Sequence, residues 1–175
     1  MHPNASDLEE QYKDLHRHPE LSMQEQRTAG LAAERLSAAG FEVTAGVGGT
    51  GVVGLLRNGE GPTVMLRADM DALPVAEQTG LEYASMVDGV MHACGHDMHV
   101  AWLVGATAEL AATRGDWHGT LLAVFQPAEE TAAGAQAMID DGLFDRFPKP
   151  QVILGQHVMP APAGAIGYRP WERRY

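Results

Sequence analysis

The stretch Met91-His92-Ala93-Cys94-Gly95-His96-Asp97-Met98-His99 carries the chain's only cysteine, three of its eight histidines and a carboxylate. A thiolate, imidazoles and a carboxylate this close together suit zinc and its first-row neighbours. Past Asp97, apolar residues at Val100, Leu103, Val104, Leu110 and Ala111 fall at helical spacing. That spacing predicts a helix over 98–113 with Asp97 as its N-cap and Cys94 and His96 in the loop before it. A helix N-terminus favours negative charge, so the thiolate form of Cys94 should be easier to reach there. Taken alone, the stretch is equally compatible with a buried free cysteine among surface histidines, because free cysteine commonly packs as a small apolar residue.

Three other segments end in side chains of similar chemistry. An apolar strand over 63–67 runs into Ala68-Asp69-Met70-Asp71-Ala72-Leu73-Pro74, with two aspartates just past its end. The segment Gly119–Gln126 contains a continuous apolar run, as a strand covered on both faces should, and leads into Pro127-Ala128-Glu129-Glu130-Thr131. A third, buried strand over 151–155 leads into Gln156-His157. Singly, the aspartates suit a solvated turn and the glutamates a helix start. In open α/β sheets, however, a site lies beyond the carboxyl ends of the strands. All three segments place their polar side chains there, and the Cys94/His96 loop, lying just before a helix, belongs to the same rim. Carboxylates gathered in one cleft raise one another's pKa values unless cations are bound.

The elements that position these residues follow from periodicity and punctuation. Residues 6–16 read as a helix that Pro19 ends, leaving His16 and His18 in a surface turn. Ala29, Ala32, Leu36 and Ala39 predict a second helix over 24–39, closed by Gly40. A short strand over 41–44 precedes a glycine-rich turn over 46–51, which lacks the lysine and following helix of a phosphate loop. Strands over 52–57 and 63–67 flank Asn58-Gly59, a step that favours a hairpin. Residues 75–90 read as irregular. Thr131 is placed to cap a helix through Asp140, with Ala135, Met138 and Ile139 inward and Gly142 closing it. Strands alternating with helices indicate an α/β three-layer sandwich whose mixed sheet is mostly parallel and flanked by helices.

At 175 residues the chain suits one domain with a sizeable core, and its 45% hydrophobic and 20% charged content is ordinary for a globular protein. A net charge of −11 argues against nucleic acid or an anionic membrane surface as partner. The single cysteine excludes an internal disulfide and fits a reducing, cytoplasmic setting. The N-terminal residues show no signal-peptide pattern, and no apolar run reaches the roughly 20 residues that a membrane helix needs.

Leu66-Arg67-Ala68-Asp69-Met70-Asp71-Ala72-Leu73-Pro74, Met91-His92-Ala93-Cys94-Gly95-His96-Asp97, Phe125-Gln126-Pro127-Ala128-Glu129-Glu130 and Gly155-Gln156-His157 together resemble a known set of signatures. They are those of the aminoacylase/hippurate hydrolase-type amidohydrolases, within the wider dinuclear metallopeptidases that include carboxypeptidases and aminoacylases. His18-Pro19-Glu20-Leu21-Ser22 is similar to the family's N-terminal pattern, and the resemblance runs from Leu15 to Pro170. It implies a zinc-peptidase-like catalytic domain, with residues 1–170 as its N-terminal part and 171–175 as a divergent tail. It also implies two divalent ions, Zn, Mn, Co or Ni, bridged by Cys94, with His96, Glu130 and His157 as further ligands. By the same resemblance Glu129 is the general base that takes a proton from the attacking water, and Asp71 orients the ligands from behind. Asp69 stands where related carboxypeptidases carry a ligand histidine, but the amidohydrolase branch normally has aspartate there too, so the resemblance implies a supporting role only. The implied reaction is hydrolysis of the amide bond of small N-acyl amino acids, N-acetyl, N-benzoyl or similar, with a homodimer as the full-length family form.

Family members continue with a lid or dimerisation domain and a return segment bearing one more histidine ligand. Here the pattern follows Ala163-Gly164-Ala165-Ile166-Gly167-Tyr168-Arg169-Pro170 and then reads Trp171-Glu172-Arg173-Arg174-Tyr175. By that comparison one metal site should be incomplete, hydrolysis by this chain alone weak, and an apolar sheet edge exposed. A second reading is a non-catalytic metal-binding remnant that associates with another chain. A third is a cysteine hydrolase using Cys94 and a nearby histidine, although a thiol nucleophile does not need the Glu129-Glu130 pair.

Overall fold

A computed structural model describes residues 4–167. The tail over 171–175 and the last matched residues, 168–170, lie outside the described residues. The chain forms, in order, α1 (Ala5–Arg17), α2 (Gln26–Ala38), β1 (Glu42–Val47), β2 (Gly51–Asn58), β3 (Thr63–Asp69), α3 (His96–Ala112), a 3-10 turn (Arg114–Asp116), β4 (Gly119–Gln126), α4 (Gly134–Asp140), α5 (Leu143–Arg146) and β5 (Val152–Gly155).

The continuously apolar β4 occupies the centre of the sheet, whose strand order is β1-β2-β4-β3-β5. Its side chains alternate between two cores, as a period of two requires. Leu121, Ala123 and Phe125 pack with Leu36 of α2 and Val100, Leu103 and Val104 of α3. Leu122 and Val124 pack with Val53, Met65, Met138 and Leu143 on the opposite face. Helices therefore cover both faces, α1 packing on α3 and α4 with α5 lying on the far side. β3 pairs in parallel with β4 and β5, while β2 runs antiparallel to both β1 and β4. Only β2 is reversed, so the expected mixed and mostly parallel three-layer sandwich is the observed one.

Two helix ends show how local chemistry sets the boundaries. α2 closes where Gly40, at φ 87, lets its own N–H reach the Ser37 carbonyl and the Phe41 N–H reach that of Leu36. α1 closes at Arg17, ahead of Pro19. Among the described residues no helix is long and apolar enough to cross a membrane.

Several local expectations are corrected. β2 and β3 do not form a hairpin, because β4 lies between them. Gly59 takes the positive φ of 78 that the Asn-Gly step favours, but the turn carries the chain past the start of β4, where the Thr120 N–H donates to the Pro62 carbonyl at 2.9 Å. Both strands are largely buried, and each gains a long apolar ladder with β4 that outweighs one turn preference. α3 begins at His96 with Gly95 as N-cap at φ 83, so Asp97 lies inside the first turn and does not cap it. Thr131 does not cap α4, which starts at Gly134. The Glu129 and Glu130 N–H groups are bound to Asp71, which holds this segment out of the helix. Of the three α4 residues expected to face inward only Met138 does, leaving Ala135 and Ile139 exposed. β5 is not buried. It is the last strand of the sheet, and Ile153 on it is 56% exposed.

This packing makes a simple contrast testable by urea denaturation. Leu122→Ala, at a fully buried position, should cost about 2–5 kcal/mol of stability. Ile153→Ala on the exposed edge should change stability by no more than about 0.5 kcal/mol.

Candidate metal centre

Because β3, β4 and β5 run in parallel, their carboxyl ends share one rim. Asp69 ends β3, Glu129 and Glu130 follow β4, and His157 follows β5. The start of α3 delivers Cys94, His96 and His99 to the same place. His96 is the common member. Its Nε2 lies 3.7 Å from Asp69 Oδ1, 3.7 Å from Glu129 Oε2 and 3.8 Å from Glu130 Oε1. Cys94 Sγ is 3.4 Å from His157 Nε2. Ligand atoms of Cys94, His96 and His157 fall within 4.8 Å of one another, as do those of His96, Glu129 and Glu130.

Second contacts aim these groups. His96 Nδ1 donates to the backbone carbonyl of Asp71 at 2.8 Å, which leaves Nε2 as the lone-pair nitrogen facing the cluster. His157 Nδ1 donates to the Val158 carbonyl at 2.7 Å, so its Nε2 faces Cys94. Asp71 binds the Glu129 and Glu130 N–H groups, one on each carboxylate oxygen, both at 3.0 Å. The Ser22 hydroxyl also donates to Asp71, at 2.7 Å. Burial alone would raise the pKa of Asp71, but His96, Ser22 and these two N–H groups hold its carboxyl far below the usual range.

Two polar atoms in this cluster, His96 Nε2 and Glu130 Oε1, are buried without any hydrogen-bond partner. Leaving such a group unsatisfied costs about 1–3 kcal/mol. A divalent cation between them would satisfy both, and a donor set of thiol, imidazole and carboxylate fits a first-row metal. His99 is different. Its Nδ1 donates to Asp69 Oδ1 at 2.6 Å, and its Nε2 accepts from the Val158 N–H at 2.9 Å, so neither nitrogen is free for a ligand. Asp69 also receives Arg67 at 2.6 Å. Burial opposes its ionisation, yet His99, His96 and Arg67 together lower its pKa.

The helix N-terminus does not make Cys94 acidic. Burial first, then Glu130, Glu129 and Asp69, pushes the thiol up to about 11. A nucleophilic cysteine needs the opposite shift, which runs against the cysteine hydrolase reading.

His16 was expected in a surface turn, but the structure buries it. Its Nδ1 lies 2.6 Å from Asp97 Oδ2 and its Nε2 lies 3.2 Å from Glu77 Oε1. Glu77 also accepts from the Ser85 N–H and the Thr79 hydroxyl, so this imidazole ties the irregular 75–90 segment to α1 and to the first turn of α3. Its partners lie 61 and 81 residues away in sequence, and no local signal announces them. His18 stays at the surface, with Nδ1 donating to the Asp14 carbonyl. His92 is buried with both nitrogens unpartnered, and burial pushes its pKa down to about 4. The N-terminal pattern gains a physical meaning. Glu20 accepts from the Arg27 and Thr28 N–H groups at the start of α2, and Ser22 reaches Asp71.

A family model described as peptidase family M20/M25/M40 matches residues 65–171. The chain belongs to this family. Among curated relatives it is 45% identical to a hippurate hydrolase of Campylobacter jejuni, over 90% of this chain and 42% of that protein. It is 42% identical to an N-acetylcysteine deacetylase of Bacillus subtilis, over 90% of this chain and 41% of the relative. Among solved structures, a dinuclear metal-binding M20 peptidase of Bacillus subtilis superposes with a TM-score of 0.82 at 41% identity, covering 89% of this chain and 43% of that one. The chain thus spans about two fifths of the length of these relatives. The family resemblance and the fold read from the motifs are both borne out.

Two pH experiments follow from these environments. The Asp97 and Glu77 carboxylates raise the pKa of His16 above its ordinary 6.5, against the opposing effect of burial. A raised folded-state value stabilises fully below about 6.5 and loses that contribution as pH climbs through the folded value. In urea unfolding, the stability advantage of the native protein over His16→Gln should therefore be largest at pH 6 and shrink above neutrality. Separately, Cys94 in metal-free protein should alkylate slowly with iodoacetamide at pH 9, where an ordinary thiol of pKa about 8.5 is mostly ionised. The rate should climb only as pH approaches about 11.

Proposed function

We propose that this chain carries the metal centre of an amidohydrolase that cleaves the amide bond of N-acyl amino acids. The observation that carries the reading is the pair of buried, unpartnered atoms, His96 Nε2 and Glu130 Oε1, set 3.8 Å apart beside a thiol. Cys94, His96, Glu130 and His157 would hold two divalent ions, Zn, Mn, Co or Ni. When bound, such ions supply Lewis acidity toward the scissile carbonyl and make water a competent nucleophile near neutral pH.

The protein's own groups divide the remaining work. Glu130 is 19% exposed and keeps one oxygen buried against His96, as a ligand should. Glu129 is 41% exposed and opens toward solvent, as suits a base that takes a proton from water and returns it to the departing amine. Asp71 spaces the two by binding both of their backbone N–H groups. Asp69 is occupied by Arg67 and His99 and serves as support. The substrate class is supported by relatives named for hippurate and for N-acetylcysteine, both N-acyl amino acids.

Because the chain spans two fifths of its relatives' length, metal binding is the primary test and turnover the second. Purified protein should contain a divalent first-row metal by elemental analysis, and Cys94→Ala and Glu130→Ala should lose most of it. Glu129→Ala should retain the metal. Any hydrolysis of N-acetyl- and N-benzoyl-amino acids should stop with chelator and fall about 10²–10⁴-fold in Glu129→Ala. Unchanged metal content in both Cys94→Ala and Glu130→Ala would sink the reading, and an empty site in Glu129→Ala alone would reverse the two glutamates' roles.

A further inference from the structure

Glu25 is completely buried, yet no step described so far uses it. It stands at the N-cap of α2, but its side chain makes no cap hydrogen bond there. The first N–H groups of that helix are bound by Glu20 instead. The Glu25 carboxyl turns away from its own helix. Oε1 accepts from the Ala128 N–H at 2.9 Å, 103 residues away in sequence, and Oε2 accepts from the Thr50 hydroxyl in the turn between β1 and β2.

The recipient backbone matters. Ala128, Glu129 and Glu130 present three consecutive N–H groups to buried acceptors, the first to Glu25 and the next two to Asp71. Ala128 and Ala132 are held at φ 49 and φ 55, a conformation that residues with a Cβ rarely adopt. The segment also folds back tightly: a Cβ on Gly134 would lie 1.6 Å from the Pro127 carbonyl oxygen. Such a backbone persists only where its surroundings dictate it. Asp71 acts on the two glutamates directly. Glu25 takes the N–H of the residue immediately before them, whose carbonyl receives the Ala133 and Gly134 N–H groups, and the Thr50 hydroxyl donates to Glu25 in turn.

We infer that Glu25 is a positioning residue of the metal centre: by fixing the Ala128 N–H it aims Glu129 and Glu130 at His96. The inference rests on the roles proposed above for those two glutamates. Gln at this position retains an oxygen for the Ala128 N–H and presents an NH₂ to the Thr50 oxygen. Ala retains neither and leaves a buried N–H without an acceptor.

The test compares Glu25→Ala and Glu25→Gln with the native chain, below the unfolding temperature of each. Isothermal titration with Zn²⁺ and with Co²⁺ gives affinity, the Co²⁺ absorption spectrum reports ligand geometry, and amide exchange by NMR in metal-free protein reports the backbone. Glu25→Ala should weaken metal binding about 10–100-fold, the usual weight of a group that orients ligands. It should also alter the Co²⁺ spectrum and speed exchange at Ala128, Glu129 and Glu130, with Glu25→Gln restoring all three readouts to within a few-fold. A lower melting temperature with unchanged affinity, spectrum and exchange at Glu129 and Glu130 would overturn the inference, as would Gln failing as badly as Ala. If Glu25→Ala does not fold, Glu25→Asp decides, since it withdraws the carboxyl by one methylene. It should bind metal several-fold more weakly than Glu25→Gln, and equal binding overturns the inference. If the native chain takes up no metal, the metal reading of the site fails, while the exchange comparison still decides whether Glu25 aims this segment.

Discussion

The carboxylate of Asp71 is where the separate parts of this molecule meet. It lies just past β3, accepts the N–H groups of Glu129 and Glu130 after β4, and takes the Ser22 hydroxyl from the segment ahead of α2. Its own backbone carbonyl receives His96 Nδ1 at the start of α3. One buried acidic residue therefore sets the spacing of two glutamates and the tautomer of the central histidine. An unpartnered buried carboxylate would be costly, so these four elements can close together only in the arrangement that satisfies it. The same arrangement that stabilises the fold thus points His96 Nε2 and the two glutamates at one another.

The cluster is satisfied from behind and unsatisfied in front. Nδ1 of His96, Nδ1 of His157 and both oxygens of Asp71 are bound, whereas His96 Nε2 and Glu130 Oε1, 3.8 Å apart, have no hydrogen-bond partner among the described residues. Cys94 shows the same imbalance, its thiol pushed up to about 11 by burial and by acidic neighbours. Carboxylates, imidazoles and a thiol gathered this closely are the arrangement expected of groups that meet a cation. His99 marks the limit of the cluster. It lies against Asp69 and resembles a ligand by composition, but a carboxylate and a backbone N–H take up its two nitrogens.

Outside the cluster, buried ionisable groups act as long-range ties. His16 joins α1, the first turn of α3 and the irregular 75–90 segment through two carboxylates. That segment forms no helix or strand of its own, so its order depends on such ties and on the bridge between Leu73 and Met91. Glu25 joins the β1–β2 turn to the segment after β4 in the same manner. Each tie spans many residues in sequence and a hydrogen bond's length in space.

The sequence by itself determined the layered α/β class, the apolar central strand and the four segments that converge on one rim. These features follow from periodicity, from residue type and from the rule that strand ends define the site, all of which are local or additive. That Cys94, His96, Glu129, Glu130 and His157 come together at one rim was legible because each follows a strand or stands at a helix start that its own neighbours specify. Tertiary structure alone decided that β4 separates β2 from β3, since a ladder between strands more than 60 residues apart outweighs the Asn58-Gly59 turn. It also decided that Asp97, placed inside the first turn of α3, reaches His16, that the Glu129-Glu130 backbone is held outside α4, and that β5 lies exposed at the edge. In each case the deciding partner is a group distant in sequence, and a hydrogen bond or a packed face between distant residues leaves no trace in local pattern.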